Sequence, residues 1–302
     1  MDKSKKEFKI LYKASFKSKS ENEIMIWLAE PADSNYQKIE NYSINLNQDS
    51  EYRVNENHIH FFRLSDRNIE LNVGIKAVLS KEIISAEKLV FGKLPKEIST
   101  QYLSSEKYLE QTREIIDLTK KIIRDKKAPL EKIRAIFKYV IENFKYCYPV
   151  KKRGVENLDL KNLSGDCAEY SSLFVTMCRI AGIATRNVTG YVIFENKNQI
   201  SEHGWAQVYT DRGWLDADPQ YASLEKNVET GTEKYLFNRT EYRIIFTNGF
   251  NISLKPSIPA GFDKSNMAKL GLPIDRKNVQ VLQPLVFASK KPVNFENMIV
   301  LK

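Results

Sequence analysis

The first third of the chain has short runs of β-branched and aromatic residues that are separated by polar segments. Three such runs are Glu23–Leu28, His58–Leu64 and Ile69–Leu79, and polar stretches such as PADSN and NLNQDSEYRVNEN lie between the first two. Runs of this length and composition are typical of strands, and several short strands joined by turns are typical of a β-sandwich. We therefore predict a β-rich N-terminal domain, residues 1–92, that resembles a β-sandwich.

The pattern changes to helical spacing after about residue 94. Leu109–Arg124 carries apolar residues on one side, and a second set with three- and four-residue spacing follows Pro129 as far as Phe144. This spacing predicts amphipathic helices, and proline is favoured in the first turn of a helix. Both helices are assigned to the core of a second domain, residues 93–302. The tail of that domain, Pro256–Lys302, is predicted to be a terminal strand or a strap over the β-domain.

The clearest helix signal begins at Cys167, continues as an apolar stripe that includes Cys178, and stops at Gly182. Cys178 is interpreted as a packing residue because it lies on that stripe. Cys167 lies in the first turn, directly after Gly165 and Asp166. Unpaired backbone N–H groups and the helix dipole stabilise a thiolate there and lower its pKa, and the same N–H groups can bind an oxyanion. Position alone leaves two interpretations open, a nucleophile and a small buried side chain.

A nucleophilic cysteine needs a base, and the chain has three histidines. His203 begins the predicted strand HGWAQVY, and a turn leads into a second strand that stops at Pro219. In an antiparallel hairpin the end of the second strand lies near the start of the first, so Asp218 should lie opposite or diagonal to His203. Such a carboxylate would orient the imidazole while His203 activates Cys167. Asp216 shares the face, and we favour Asp218 because it is nearer the strand end.

The other two histidines, His58 and His60, are two residues apart on one predicted strand. Such a pair can bind a metal ion, but the sequence shows no third ligand nearby. We therefore predict no metal site and assign neither histidine to the chemistry.

Three blocks of this sequence resemble the transglutaminase-like superfamily, whose papain-type enzymes use a Cys-His-Asp triad in that chain order. The blocks are GDCAEYSSLFVTMCRIAGIATRNVTGY with Cys167, HGWAQVY with His203 and GWLDADP with Asp218. The separations of 36 and 15 residues suit the prokaryotic members. The resemblance covers roughly Leu109–Ser253. One departure is Ala168, where members often carry glycine, which narrows the space beside the nucleophile.

The resemblance implies an α+β fold with a papain-like core, in which the helix bearing Cys167 packs on an antiparallel sheet bearing His203 and Asp218. The segment Thr185–Phe194 is expected to join that sheet. The implied mechanism is attack of the thiolate on an amide or ester carbonyl, followed by transfer of the acyl group from the thioester to water or an amine. The backbone N–H of Cys167 would bind the oxyanion together with a second donor. The candidates for that donor are Tyr146, Tyr148 and Asn162.

We predict a cysteine hydrolase that acts on peptide or isopeptide amides, with water as the default acceptor. A protein-glutamine transglutaminase or other amine acyltransferase is the alternative among enzymes. A catalytically silent binding module is the alternative outside them, and the presence of all three triad residues disfavours it. No cofactor is expected, and no carboxylate-rich loop resembles a calcium site.

The amino-acid composition disfavours membrane-spanning and nucleic-acid-binding proteins. The hydrophobic content of 42% and the charged content of 28% are ordinary for a globular protein, and no run approaches the about 18 apolar residues of a membrane span. The net charge of +9 is spread along the chain without a nucleic-acid-binding motif. The expected partner is therefore a protein or peptide substrate, and not nucleic acid.

Three cysteines without a CxxC pair disfavour a disulfide framework and a zinc site. Together with the lack of a recognisable signal peptide, this favours a reducing, cytoplasmic location. A secreted protein whose signal peptide has been removed is the alternative.

Overall fold

The computed structural model describes residues 3–197, 199–262 and 275–302. These residues form two compact units, and each unit is built from segments that are distant in the sequence. The helical unit contains Lys81–Val188 and His203–Thr240. The sheet unit contains Ser4–Ser80, Thr189–Glu202 and the described part of Glu241–Lys302. The predicted boundary between residues 92 and 93 stays a prediction of domain organisation.

The strands of the described residues are numbered in chain order. They are β1 (Lys3–Glu30), β2 (Gln37–Ile44), β3 (Ser50–Val54), β4 (Asn57–Glu82), β5 (Lys145–Tyr146), β6 (Ser164–Gly165), β7 (Thr185–Phe194), β8 (Gln199–Thr210), β9 (Gly213–Ala217), β10 (Tyr242–Asn248), β11 (Ile252–Ser253), β12 (Asn278–Val279), β13 (Leu285–Ser289) and β14 (Asn294–Leu301). The α-helices are α1 (Lys96–Tyr102), α2 (Arg113–Ile122), α3 (Pro129–Asn143), α4 (Cys167–Ile180), α5 (Pro219–Ala222) and α6 (Val228–Tyr235). Short 3-10 turns occupy Ala86–Lys88, Val155–Asn157 and Glu195–Lys197.

The N-terminal segments are strands, as predicted, but they are much longer than the sequence suggests. β1 has 28 residues and β4 has 26, and they are neighbours in a six-stranded sheet with the order β13-β1-β4-β2. The expectation of several short strands is wrong because polar side chains on the exposed side of a continuous strand resemble a turn. Residues 65–68, for example, are exposed within β4. The arrangement of the N-terminal region as a β-sandwich stays a prediction.

The C-terminal tail contributes two strands to this sheet. β13 pairs with β1 at Phe287 and Ile26, and β14 pairs with β1 at Ile299 and Tyr12. Their apolar side chains join one core with the inner faces of β1 and β4, whose burial stabilises the unit. The tail therefore lies along the β-rich region as strands. Its residues 263–274 lie outside the described residues.

The helical unit carries the helices that the sequence predicts. α3 begins at Pro129, and its Phe137 ring packs edge-on against Phe174 of α4, with centroids 5.4 Å apart. α2 is shorter than the predicted segment Leu109–Arg124 because Thr112 caps its first turn. α4 ends before Gly182, whose φ of +79° favours glycine.

An antiparallel hairpin of β8 and β9 belongs to a four-stranded sheet with the order β10-β7-β8-β9. β7 matches the predicted strand Thr185–Phe194. The α+β fold class with a helix-borne cysteine and a sheet-borne histidine is therefore confirmed. β5 and β6, of two residues each, form a separate parallel pair. None of the helices in the described ranges has the length and apolar character needed to cross a membrane.

Candidate active site

The start of α4 positions Cys167. Asp166 is the N-cap residue, and its carboxylate accepts a hydrogen bond of 2.9 Å from the N–H of Ala168. The preceding residue, Gly165, has no room for a side chain, since a Cβ there would lie 2.5 Å from the Cβ of Glu169. Cys167 is partly exposed, whereas Cys178 is buried in the core, as its place on the apolar stripe predicts. The Gly-Asp-Cys sequence thus presents one thiol at the helix N-terminus.

The hairpin brings His203 and Asp218 together. Ala206 pairs with Ala217, which places Asp218 one step further and diagonal to His203. The Nε2 atom of His203 lies 2.8 Å from Oδ2 of Asp218, and both side chains are almost fully buried. β8 begins at Gln199, so His203 lies inside the strand and not at its first residue. The contact itself is the one that the hairpin register predicts.

Asp218 has a second role that the sequence reasoning missed. Its Oδ1 atom accepts a hydrogen bond of 3.0 Å from the N–H of Tyr221 and caps α5, which begins at Pro219. The Tyr221 ring then stacks on the imidazole of His203, with centroids 4.1 Å apart and planes 13° apart. Trp205 also stacks near it, at 5.8 Å. Aspartate followed by proline is a helix-start pattern, and this signal was available in the sequence at Asp218 and Pro219.

The Cys167 sulfur is linked to the histidine strand through Gly204, whose backbone N–H donates a hydrogen bond to it. Gly204 directly follows His203, so the structure brings the three predicted residues into one site. Since Nε2 of His203 is bound to Asp218, Nδ1 is the ring nitrogen left for a proton from the thiol.

The electrostatics of the thiol differ from the expectation. Burial raises the pKa of Cys167 to about 12, the negative charge of Asp166 adds to this, and the Gly204 N–H partly offsets it. The helix N-terminus predicted a lowered pKa, and the direction found in the structure is the opposite. A thiolate therefore forms at Cys167 only when a neighbouring group takes the proton.

A buried cluster lies under the first turn of α4. Arg153 reaches Oδ2 of Asp166 at 2.7 Å and Oε2 of Glu169 at 2.5 Å, and all three side chains are at most 9% exposed. Burial and the charge of Asp166 raise the pKa of Glu169 to about 8. Burial opposes ionisation of Asp166, yet the hydrogen bond from Arg153 holds its pKa below the usual value. At neutral pH the cluster thus contains one cation, one carboxylate and one neutral carboxyl group.

The carboxylate of Asp216 is bound by Arg239 and Gln207. Its two carboxylate oxygens bind Arg239 at 2.7 and 2.8 Å, and Gln207 donates a further hydrogen bond of 2.9 Å. Both members of the ion pair are buried. Asp216 therefore holds the hairpin to a neighbouring segment, and the structure separates the roles of the two aspartates that periodicity left equivalent.

The three candidates for the second oxyanion donor differ in position. The charges of Cys167 and Asp166 contribute, after burial, to a raised pKa of the Tyr146 phenol, so Tyr146 lies close to the thiol. All three side chains are exposed, Tyr146 at 56% and Tyr148 at 64%, so the proximity to the thiol is what distinguishes Tyr146. Of the three, Tyr146 has the position that fits the role best.

The fold adds a possible third ligand beside the remaining two histidines, and the expectation of no metal site stays a prediction. The sequence showed no third ligand near His58 and His60, but the fold brings the carboxylate of Glu30 between them. The distant position of Glu30 in the chain hid this contact from sequence reasoning.

Comparison with known proteins shows what this site is similar to. Residues 116–219, which include Cys167, His203 and Asp218, match the model of the transglutaminase-like superfamily. A segment of 98 residues is 32% identical to a protein-glutamine gamma-glutamyltransferase of Pseudomonas aeruginosa, covering 30% of this chain and 15% of that protein. A segment of 179 residues is 25% identical to the kyphoscoliosis peptidase of Mus musculus, covering 56% of this chain and 24% of that protein.

The chain thus spans less than a quarter of the length of these curated relatives. A candidate cysteine protease from Cytophaga hutchinsonii has a similar fold, with a TM-score of 0.61 and 13% identity over 99% of this chain and 92% of that one. Residues 116–219 are therefore the part of the chain that is similar to the transglutaminase-like superfamily, a group of cysteine-dependent enzymes.

Proposed function

We propose that this protein hydrolyses peptide or isopeptide amide bonds through a thioester on Cys167. The observation that carries the proposal is the 2.8 Å hydrogen bond between His203 and Asp218 on the strand whose Gly204 N–H binds the Cys167 sulfur. A carboxylate on Nε2 fixes the tautomer in which Nδ1 accepts a proton. This is the arrangement that an acyl-transfer cysteine needs.

In the first half of the reaction, His203 Nδ1 takes the thiol proton as Sγ of Cys167 attacks the substrate carbonyl. Asp218 stabilises the imidazolium, and the backbone N–H of Cys167 donates to the oxyanion. The tetrahedral intermediate collapses when the C–N bond breaks, and the amine leaves with the proton from Nδ1. The product is an acyl thioester and a neutral imidazole.

In the second half, water attacks the thioester while His203 Nδ1 accepts one of its protons. Breakage of the C–S bond releases the carboxylic acid, and the proton returns to the sulfur. Transfer to a primary amine follows the same steps with the amine in place of water. The alternative of a protein-glutamine transglutaminase is supported by the relative from Pseudomonas aeruginosa that carries this name.

Hydrolysis is preferred because water is present at every site, whereas an amine acceptor requires a site that binds it and excludes water. A silent binding module is disfavoured, since a nucleophile, a base and an orienting carboxylate are all present, with His203 bonded to Asp218 and the adjacent Gly204 bonded to Cys167. A cytoplasmic location and a peptide or protein partner stay predictions.

The test is incubation with glutamine-containing peptides and isopeptide-linked peptides, with and without a small primary amine, and mass spectrometry of the products. We expect cleaved or deamidated peptides under both conditions. Accumulation of amine adducts at the expense of hydrolysis would establish the transferase alternative.

Two variants make the test specific. Cys167→Ser removes the nucleophile and should abolish all products, because a hydroxyl at this position ionises far less readily than a thiol. Cys147→Ser changes an exposed free cysteine and should leave turnover unchanged. Equal activity of Cys167→Ser and the wild type would overturn the proposal, and so would folded wild-type protein without any product.

A further inference from the structure

The sheet unit contains two imidazoles that converge on a single carboxylate oxygen. Nδ1 of His58 and Nε2 of His60 each lie 2.8 Å from Oε2 of Glu30. One ligand atom from each of the three residues lies within 4.8 Å of the others. None of these residues belongs to the site around Cys167.

The strands explain why the three side chains meet. Alternate residues of a strand share a face, so His58 and His60 of β4 point to the same side. β1 is the neighbour of β4 in the sheet, and Glu30 is its last residue. β3 covers the other edge of this segment, with Glu51 opposite His60 in the register.

The outer nitrogen of each ring faces an acceptor. Nδ1 of His60 contacts the amide oxygen of Gln48, and Nε2 of His58 lies 3.3 Å from a carboxylate oxygen of Glu51. The amide nitrogen of Gln48 donates to Glu51 at 2.9 Å, which orients its oxygen toward His60. Outer acceptors of this kind keep the proton on the outer nitrogen and direct the inner lone pair at a metal ion.

A count of protons shows what the inner side lacks. The two rings make contacts with acceptors at all four nitrogens, but two neutral imidazoles carry only two protons. With those protons on the outer nitrogens, the inner nitrogens and the Glu30 oxygen are three lone-pair donors facing one another. A cation between them supplies the missing positive charge. The other solution is direct donation from the rings to Glu30, as neutral tautomers or in an imidazolium cluster, and the experiment below distinguishes metal binding from both.

We propose that Glu30, His58 and His60 bind one divalent transition-metal ion of the Zn²⁺ class. Two imidazoles and one carboxylate suit Zn²⁺. In a tetrahedral zinc site the ligand atoms are about 3.4 Å apart, so each contact of 2.8 Å between a ring nitrogen and Oε2 of Glu30 has to open by about half an ångström. The side chains of Glu30 and His58 are 27% and 17% exposed, which leaves an open side for water as a further ligand.

Tyr42 completes one wall of this metal-binding cluster. Its ring stacks on His60 with centroids 5.7 Å apart and planes 18° apart, which restrains the rotation of the imidazole. Its hydroxyl is buried and has no hydrogen-bond partner among the described residues. A buried polar atom of this kind usually has a partner, and a ligand in the cluster would provide one.

The experiment uses the full chain with Cys147→Ser and Cys167→Ser, so that the exposed and partly exposed thiols cannot bind the metal. Equilibrium dialysis against Zn²⁺ should give one bound equivalent per chain. Titration with Co²⁺ should give visible d–d bands without the thiolate charge-transfer band, because the ligands are nitrogen and oxygen.

The variants test the ligands one by one. Loss of a residue that only hydrogen-bonds a metal ligand weakens metal binding by roughly 10- to 100-fold. Glu30→Gln, which is isosteric, and His58→Ala each remove a ligand and should weaken Zn²⁺ binding by more than this. Gln48→Leu should weaken it within that 10- to 100-fold range. His203→Ala in the same background is the matched control and should leave the affinity unchanged.

Circular dichroism of each metal-free variant verifies that it is folded, and Glu30→Gln remains informative if His58→Ala does not fold. No bound metal in the thiol-free protein would overturn the proposal and favour the imidazolium cluster. Binding that Glu30→Gln leaves intact, or that His203→Ala abolishes, would also overturn it. These outcomes do not depend on the proposed hydrolase activity.

Discussion

Asp218→Asn should remove the activity while it leaves the fold intact. The side chain keeps its shape, and asparagine is as good an N-cap as aspartate, so the hydrogen bond from the Tyr221 N–H is retained. The amide of the new asparagine can turn its N–H toward Nε2 of His203. Nε2 then accepts a hydrogen bond, and the neutral imidazole carries its proton on Nδ1. A protonated Nδ1 cannot take the proton of the Cys167 thiol.

The size of the decrease in kcat follows from two losses, the reactive tautomer of His203 and the negative charge of Asp218. The corresponding aspartate-to-asparagine change in a serine protease triad lowers kcat about 10⁴-fold. We expect a loss between about 10²- and 10⁴-fold here, since a thiol is intrinsically more nucleophilic than a hydroxyl. The free energy of unfolding should stay within about 0.5 kcal/mol of the wild type for a retained cap.

Asp216→Asn is the matched substitution, and we expect it to act in the opposite way. In the wild type, two carboxylate oxygens of Asp216 bind the buried Arg239 guanidinium at 2.7 and 2.8 Å. The substitution replaces this charged partner by a neutral amide. Breaking a buried pair costs about 3–5 kcal/mol, and the low end applies because asparagine keeps one acceptor. The kcat of the molecules that stay folded should remain near that of the wild type.

The assay combines urea unfolding followed by circular dichroism with kcat measured on the peptide substrate at a temperature where both variants are folded. The reasoning would be refuted by the reverse result, in which Asp216→Asn is inactive but stable and Asp218→Asn is active but unstable. Two stable, active variants would show that neither contact has the role derived from the structure.

Two further predictions concern proton transfer. In the wild type, iodoacetamide should label Cys167 faster than Cys147 near neutral pH. In His203→Ala the buried thiol has no imidazole to take its proton, so labelling of Cys167 should fall below that of Cys147, as peptide mass spectrometry can measure. The free energy of unfolding should fall as the pH rises from about 4.5 to about 8, because folded Glu169 retains a proton that the unfolded chain releases. Glu169→Gln should flatten this dependence in urea titrations at several pH values, and an unchanged slope would contradict the raised pKa.

The parts of the site that were predictable are those encoded by neighbouring residues. The start of α4 follows from Gly165, Asp166 and the apolar stripe, and the meeting of His203 with Asp218 follows from one hairpin. In both cases the contact depends on backbone geometry within a short segment. A local pattern is enough to specify such a contact.

The parts that were missed depend on residues that the fold brings together from a distance. Arg153 comes from a loop with no regular pattern, and Glu30 belongs to a strand separated from His58 by two other elements. Burial is the largest influence on the pKa of Cys167, and the burial of this side chain cannot be read from its helix position alone. The lengths of β1 and β4 were missed for a similar reason, because alternation on an exposed strand face resembles a turn.

The electrostatics of the site make proton transfer the central step of the proposed reaction. Asp166 and Asp218 both oppose a negative charge on Cys167, and burial opposes it further. An isolated thiolate is therefore costly, whereas a thiolate beside an imidazolium adds no net charge to the site. Attack on the carbonyl then moves the charge onto the oxyanion, next to the helix N-terminus that stabilises it. Asp218 hydrogen-bonds His203 and stabilises the imidazolium that forms when the thiol gives up its proton, so a residue that disfavours a free thiolate favours the ion pair through which the proposed reaction passes.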